Sequence, residues 1–248
     1  MPIRNVLRKV VHHLAPAWDS KRQAGQSRRV FDQGFYSDIT EARLKHLDSL
    51  GFNVDGRSVI DVGCGIGRLS EYFAARGCNL LCVDGREENI LELKRLYPDR
   101  RAVILDLDSQ PLTGLGRFDV VFCYGLLYHL ADPFHLIKQA YAICDGMFLL
   151  ETCITDADDP LLSLVAESVE DASQALHAIG CRPSPAYVRL CLRLAGFAHV
   201  YTPRSLPLHA QFQYERRNDH TYLRNGTLMR GVFIASNQPI DNANLVPG

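Results

Sequence analysis

The run Ser58-Val59-Ile60-Asp61-Val62-Gly63-Cys64-Gly65-Ile66-Gly67 constrains the architecture of this chain more than any other. Its apolar first half reads as a buried strand. The alternate glycines that follow allow a sharp bend, positive φ and close approach of a ligand to bare main chain. Beyond them Leu69 and Phe73 stand four residues apart, on one face of a helix expected over 67–75. The spacing also separates this loop from two others that bind nucleotides. A dinucleotide fingerprint has G-x-G-x-x-G, whereas here the third glycine arrives one residue early, and no Lys-Ser/Thr pair follows as a phosphate loop requires.

Three later strands end in register with this one. Leu80-Leu81-Cys82-Val83 ends at Asp84, where a βαβ nucleotide fold places an acidic residue to accept ribose hydroxyls. Ala102-Val103-Ile104-Leu105 ends at Asp106. A fourth strand, Phe118-Asp119-Val120-Val121-Phe122-Cys123-Tyr124, leads into Gly125-Leu126-Leu127-Tyr128-His129-Leu130. In this order the four segments resemble the motifs of the class I S-adenosyl-L-methionine (SAM) dependent methyltransferases.

Carried over residue by residue, the resemblance implies a SAM site. It places Asp61, Gly63, Cys64 and Gly65 in the first motif, Asp84 and Gly85 at the ribose, and Asp106 and Leu107 at the adenine amino group. Cys123, Tyr124 and Tyr128 then stand beside the methyl-transfer position. Phe31, Phe35 and Tyr36 precede a helix carrying Leu44, Leu47 and Leu50. Tyr36 reads as a lid residue over the cofactor, or as an anchor of that helix to the core. A softer likeness runs through Leu127-Tyr128-His129, Asp132-Pro133, Leu149-Leu150-Glu151-Thr152, Pro183-Ser184 and Gly196-Phe197. These resemble the tRNA wobble-uridine carboxymethyltransferase group and its small-molecule relatives.

Strands expected at 58–62, 80–84, 102–106, 119–124 and 147–151 alternate with helices at 67–75, 88–97 and 133–143, which argues for a parallel sheet covered on both faces. The expected fold class is α/β: a Rossmann-like, doubly wound, mostly parallel seven-stranded sheet with an antiparallel edge strand, an N-terminal helical extension and an acceptor cap insertion. The divisions fall at 1–57 (extension and lid), 58–152 (SAM-binding core) and 153–248 (cap and completion of the sheet). Ser184-Pro185 reads as an N-cap followed by proline at the first helical position, and Gly196 as that helix's stop. The last strands are expected at 199–201 and 227–235. The stretch 203–226 between them is too long for a bare hairpin turn.

The chain has 248 residues, is 47% hydrophobic and has a net charge of −1, which supplies no general attraction for nucleic acid. Its eight cysteines lack CxxC spacing, and buried thiols of a cytoplasmic protein explain them better than a disulfide framework. No apolar run is long enough to span a membrane, no signal peptide is recognisable, and no metal site is indicated by spacing. Residues 1–30 carry a local +6 on a short amphipathic pattern, read as a helix over the domain, a membrane-surface contact or a partner contact. Residues 153–180 carry −6. An acidic cap of this kind would repel a polyanion and favours O-methylation of a small molecule, a sugar or a biosynthetic intermediate. The basic N-terminus with Arg204, Arg216, Arg217 and Arg224 leaves RNA as the alternative acceptor, and a SAM-binding regulator without turnover is a further one.

Deprotonating an alcohol or phenol needs a base, and His129 is the first candidate, since imidazole accepts a proton near neutral pH. A hydrogen bond from His129 to a loop carbonyl is the plain alternative. His209 and Glu151 are further candidates for the base.

Overall fold

The computed structural model describes residues 31–32, 34–215, 217–219, 221 and 226–248. The basic segment at 1–30, Arg216 and Arg224 lie outside the described residues.

The strands are β1 (Ser58–Val62), β2 (Asn79–Asp84), β3 (Arg101–Ile104), β4 (Phe118–Tyr124), β5 (Cys144–Ile154), β6 (Leu162–Ala166), β7 (Ile179–Pro183), β8 (His199–Pro203), β9 (Met229–Ser236) and β10 (Leu245–Pro247). Eight of them form one sheet in the order β10-β8-β9-β5-β4-β1-β2-β3, and β6 and β7 pair separately. Neighbours from β3 to β5 run parallel, while β9 is antiparallel to both β5 and β8. The seven strands expected of the main sheet are all present. The short β10, antiparallel to β8, adds an eighth that its brief apolar content had not signalled.

The helices are α1 (Gly34–Ser49), α2 (Glu71–Ala74), α3 (Glu87–Leu96), α4 (Pro133–Ile143) and α5 (Pro185–Ala195). Alternation of strand and helix puts apolar faces on both sides of the sheet. Leu136, Ile137, Val188 and Leu192 pack on one face with Ile60 and Val121. Ile39, Leu47, Phe73 and Leu93 pack on the other with Val59 and Phe122. Two helix starts follow directly from their caps. Asp132 accepts from the N–H of His135 at 3.0 Å and Ser184 from that of Tyr187 at 3.1 Å, each with proline at the next position.

The helix expected over 67–75 is a correction. Gly67 has φ +84°, a left-handed conformation that breaks the helical path, and regular helix begins only at Glu71. The intervening turn puts Ser70 against the sheet, where its hydroxyl donates to the buried carboxylate of Asp61. All eight cysteines are unpaired, and all but Cys78 are buried.

Burial pushes the Asp61 carboxyl up to about 7, against the single bond from Ser70 and with the neighbouring Asp84 charge adding to the effect. The folded state therefore binds more protons than the unfolded chain between about pH 4 and pH 7, and stability falls as pH rises through that window. Asp61→Asn removes the titration. Its melting temperature is expected to gain on that of the parent between pH 5 and pH 8, and thermal melts showing a constant gap would contradict this assignment.

Candidate active site

The sheet order changes direction between β1 and β4, the place where doubly wound sheets bind ligands beyond the carboxyl ends of their strands. A cleft lies there. Gly63, Cys64, Gly65, Asp84, Gly85, Asp106, Leu107, Tyr124, Tyr128, His129 and Tyr36 all line it. Two residues expected at the cofactor do not. Asp61 and Cys123 are buried behind the wall, Asp61 bracing the loop through Ser70 and Cys123 packed in the core.

The glycine loop is fastened to β2. The N–H groups of Gly63 and Cys64 donate to the carbonyl of Val83 at 2.8 and 3.0 Å. Gly63 has φ +79°, and a Cβ added there would stand 2.6 Å from Cβ of Leu126. Both strain and collision forbid a side chain. Gly63→Ala is expected to weaken binding of S-adenosylhomocysteine (SAH) by about tenfold or more, since the left-handed conformation alone costs about 1–2 kcal/mol. Unchanged affinity in calorimetry would show that the cofactor does not use this loop.

Asp84 is more committed to the protein than its position in the sequence suggested. Oδ2 accepts from the Gly65 N–H at 2.8 Å, and Oδ1 accepts from the Arg86 N–H at 2.9 Å and from Asn89 Nδ2 at 3.1 Å. A carboxylate has about four acceptor positions, so about one remains for a ribose hydroxyl. Asp106 accepts from Ser109 Oγ at 2.7 Å, from His177 Nε2 at 2.9 Å and from the Asp108 N–H at 3.1 Å. Partial burial opposes its ionisation, but these bonds hold the carboxyl below the usual carboxylate range. Residues distant in sequence thus converge: the ligand atoms of Asp106, Asp108 and His177 lie within 4.8 Å of one another, although spacing indicated no metal site.

The other half of the cleft is built by β4, β5, β9 and α1. Glu151 is fully buried on β5 and accepts from Arg43 Nη2 at 2.5 Å and Arg230 Nη1 at 2.9 Å. Burial opposes its ionisation, but Arg230 and Arg43 together hold its carboxyl below the usual range. Arg230 also donates to Tyr128 Oη at 3.1 Å and to Gln211 Oε1 at 2.6 Å. Glu151 is therefore closed off by its two arginines rather than open as a base. His209 lies outside the cleft lining, with Nδ1 accepting from the Gln211 N–H at 3.2 Å.

His129 follows β4 in a short 3₁₀ turn, and its Nδ1 donates to Oε2 of Glu167. Glu167 also accepts from the Ala175 N–H at 2.8 Å and from Arg182 Nη1 at 3.2 Å. Burial lowers the His129 pKa, opposed by Glu167 and reinforced by Arg182 and Arg230. The ring is thus neutral near pH 7 with Nδ1 protonated, which leaves Nε2 as the acceptor.

Glu167 belongs to the insertion after β5, where β6 and β7 form a hairpin. The loop between them, 167–178, crosses the cleft and contributes Ala172, Ser173, Gln174 and Leu176 to its wall. Polar bonds tie it down on the cofactor side. The Arg86 guanidinium donates to the carbonyls of Val169, Gln174 and Ala175, and Tyr36 Oη donates to Ser173 Oγ at 2.7 Å. Tyr36 thus spans the cleft to the cap, its ring edge-on to Phe31. The acidity of the insertion is partly consumed inside the fold. Glu167 is paired as above, and buried Asp156 accepts from the N–H groups of Arg217 and Asn218.

Sequence reasoning missed Arg43, Arg230 and Glu167. Arg43 had a readable signal, since it stands four residues after Ile39 and four before Leu47 on the buried stripe of α1. Arg230 had another, as the lone charge in the apolar strand β9.

A family model for the methyltransferase domain matches residues 11–202. The chain belongs to the methyltransferase domain family. Its cofactor is SAM, as in the class I enzymes whose motifs its loops resemble. The bare main chain at Gly63 and the remaining acceptor position on Asp84 fit that molecule. A tRNA U34 carboxymethyltransferase of Alcanivorax borkumensis is 33% identical to this methyltransferase domain over 164 residues, 62% of this chain and 48% of its own. A ubiquinone biosynthesis O-methyltransferase of Bordetella avium is 32% identical over 110 residues, 42% of this chain and 45% of its own. The chain thus spans about half the length of these curated relatives. Among solved structures, the N-terminal domain of EvdMO1, crystallised in the presence of SAH and D-fucose, superposes with a TM-score of 0.64 at 21% identity. That match covers 83% of this chain and 85% of the other, and it shows a shared fold.

Proposed function

We propose that the chain methylates a hydroxyl of a small-molecule acceptor, a sugar or a biosynthetic intermediate, with His129 as general base. The reading rests above all on one arrangement: a neutral imidazole, oriented by Glu167, lining the same capped cleft as the glycine loop. Gly63, Gly65, Asp84 and Asp106 would hold SAM, which supplies an electrophilic methyl group on a sulfonium. Tyr128 and Tyr124 bound the position of the acceptor, and the cap loop with Tyr36 excludes water. Holding the reactants in line is most of the catalysis, and effective molarity supplies about 7–11 kcal/mol. His129 Nε2 takes the hydroxyl proton. The divisions at 1–57, 58–152 and 153–248 then act as lid, cofactor core and acceptor cap. Buried free thiols suit a cytoplasmic setting, and among the described residues no helix is long and apolar enough to cross a membrane.

Incubation with methyl-labelled SAM, a metabolite extract and bulk tRNA tests the proposal. Label is expected in the small-molecule fraction. Label confined to tRNA would transfer the assignment to RNA, a second reading favoured by the 33% identity to a tRNA U34 carboxymethyltransferase. A tRNA gel shift that weakens steeply with salt would support the same transfer. Tight SAH binding with label nowhere would indicate a SAM-binding regulator.

A further inference from the structure

Arg86 follows the turn after β2 and is engaged from both its main chain and its side chain. Its N–H donates to Oδ1 of Asp84 at 2.9 Å. Its guanidinium reaches the cap loop 167–178, donating to the carbonyls of Val169 and Ala175 at 3.2 Å and of Gln174 at 3.3 Å, and to Glu88 Oε1 at 3.3 Å. Three carbonyls of one loop thus converge on one cation. A rigid planar fork with five donors serves such a set better than an ammonium on a flexible stem.

The Gln174 carbonyl matters most, because it shares a peptide group with the Ala175 N–H. That group is planar and trans, so its carbonyl and N–H point in opposite directions. The carbonyl accepts from Arg86, and the N–H donates to Oε2 of Glu167 at 2.8 Å. The same oxygen accepts from His129 Nδ1. A continuous line of hydrogen bonds therefore runs from Arg86 through the 174–175 peptide and Glu167 to the imidazole, and bonds in such a line polarise one another.

The line is enclosed. Ala175 is fully buried and the Glu167 side chain is nearly so, which leaves little water to replace a lost link. Oε1 of Glu167 is taken by Arg182 Nη1 at 3.2 Å, so the carboxylate is held at both oxygens. The partner of one ring nitrogen fixes which nitrogen carries the proton. Whatever aims Oε2 of Glu167 thereby decides the tautomer of His129.

We infer that Arg86 is a positioning residue for proton transfer: through the 174–175 peptide and Glu167 it holds His129 in the tautomer that leaves Nε2 to accept the hydroxyl proton. This rests on His129 as the base and adds a residue that acts on it from the cofactor side of the cleft. Long-range proton–nitrogen NMR of the imidazole nitrogens in the SAH-saturated protein tests it, with the His129 signals assigned by their loss in His129→Ala. The parent ring is expected to be a single Nδ1–H tautomer near pH 7. Arg86→Gln keeps the main-chain bond to Asp84, so SAH affinity is expected to stay nearly unchanged while His129 becomes a mixture of both tautomers. Arg86→Lys restores the charge without the fork and is expected to recover part of the Nδ1–H population. An unchanged single tautomer in Arg86→Gln would overturn the inference. So would a parent ring found as Nε2–H or as a mixture, a result that decides even if Arg86→Gln fails to fold. If Arg86→Gln loses SAH affinity while the ring keeps Nδ1–H, Arg86 serves the cofactor and the inference falls. Full methyl transfer by His129→Ala would instead count against the underlying reading of the base, whatever the ring does in the Arg86 variants.

Discussion

Glu151→Ala is expected to destabilise the fold by about 3–5 kcal/mol, the usual result of removing one member of a buried ionic cluster. For a chain of this length that is a fall in melting temperature of roughly 6–20 °C. The effect is large because the lost carboxylate is the shared partner of two guanidiniums. Without it Arg43 and Arg230 face each other across a buried space with like charge. Removing Arg43 instead leaves a balanced Glu151–Arg230 pair. Glu151→Ala combined with Arg43→Ala is therefore expected to cost less than the sum of the two single changes, because residues in one network do not add. Thermal melts of the three variants check this. A Glu151→Ala protein as stable as the parent would show that the two arginines do not depend on it.

His129→Ala is expected to lower methyl transfer by about 10²–10⁴-fold while leaving SAH affinity nearly unchanged, the range a positioned base typically supplies. Joint loss of turnover and SAH binding would make the residue structural. The pH profile gives a finer test. Burial holds the His129 pKa below its ordinary value of 6.5, so the rate is expected to be flat through neutrality and to fall only in acid. Glu167 opposes that lowering. Glu167→Gln removes the carboxylate charge, lowers the pKa further and should move the acid limb to lower pH while reducing the plateau. A plateau that falls with no movement of the limb would mean that Glu167 supports only the cap.

The cofactor half of the site was legible because its chemistry is local. A strand, a glycine turn and an acidic residue at the next strand end are adjacent in sequence, and the parallel order brings them to one edge of the sheet. The helix caps at Asp132-Pro133 and Ser184-Pro185 were legible for the same reason. The other half was legible only in part: Tyr124, Tyr128, His129 and Glu151 were readable, but the arginines around Glu151 were not. Arg43, Glu151 and Arg230 come from a helix before the first strand, the fifth strand and the ninth, and only the antiparallel return of β9 beside β5 brings them into contact. Glu167 was visible as one acid among six in the insertion, and its singular role depends on where the hairpin folds back. The short α2 shows a different limit. Leu69 and Phe73 have helical spacing, but the positive φ at Gly67 and the bond from Ser70 to Asp61 delay the first turn.

The loop that Arg86 fastens at Val169, Gln174 and Ala175 also carries Glu167, so the ties that hold it beside the cleft and the bond that orients the His129 ring belong to one segment. On the proposed mechanism, loosening that segment would release the cofactor and the imidazole together, and with abundant acceptor the pace is expected to follow departure of SAH rather than the chemical step.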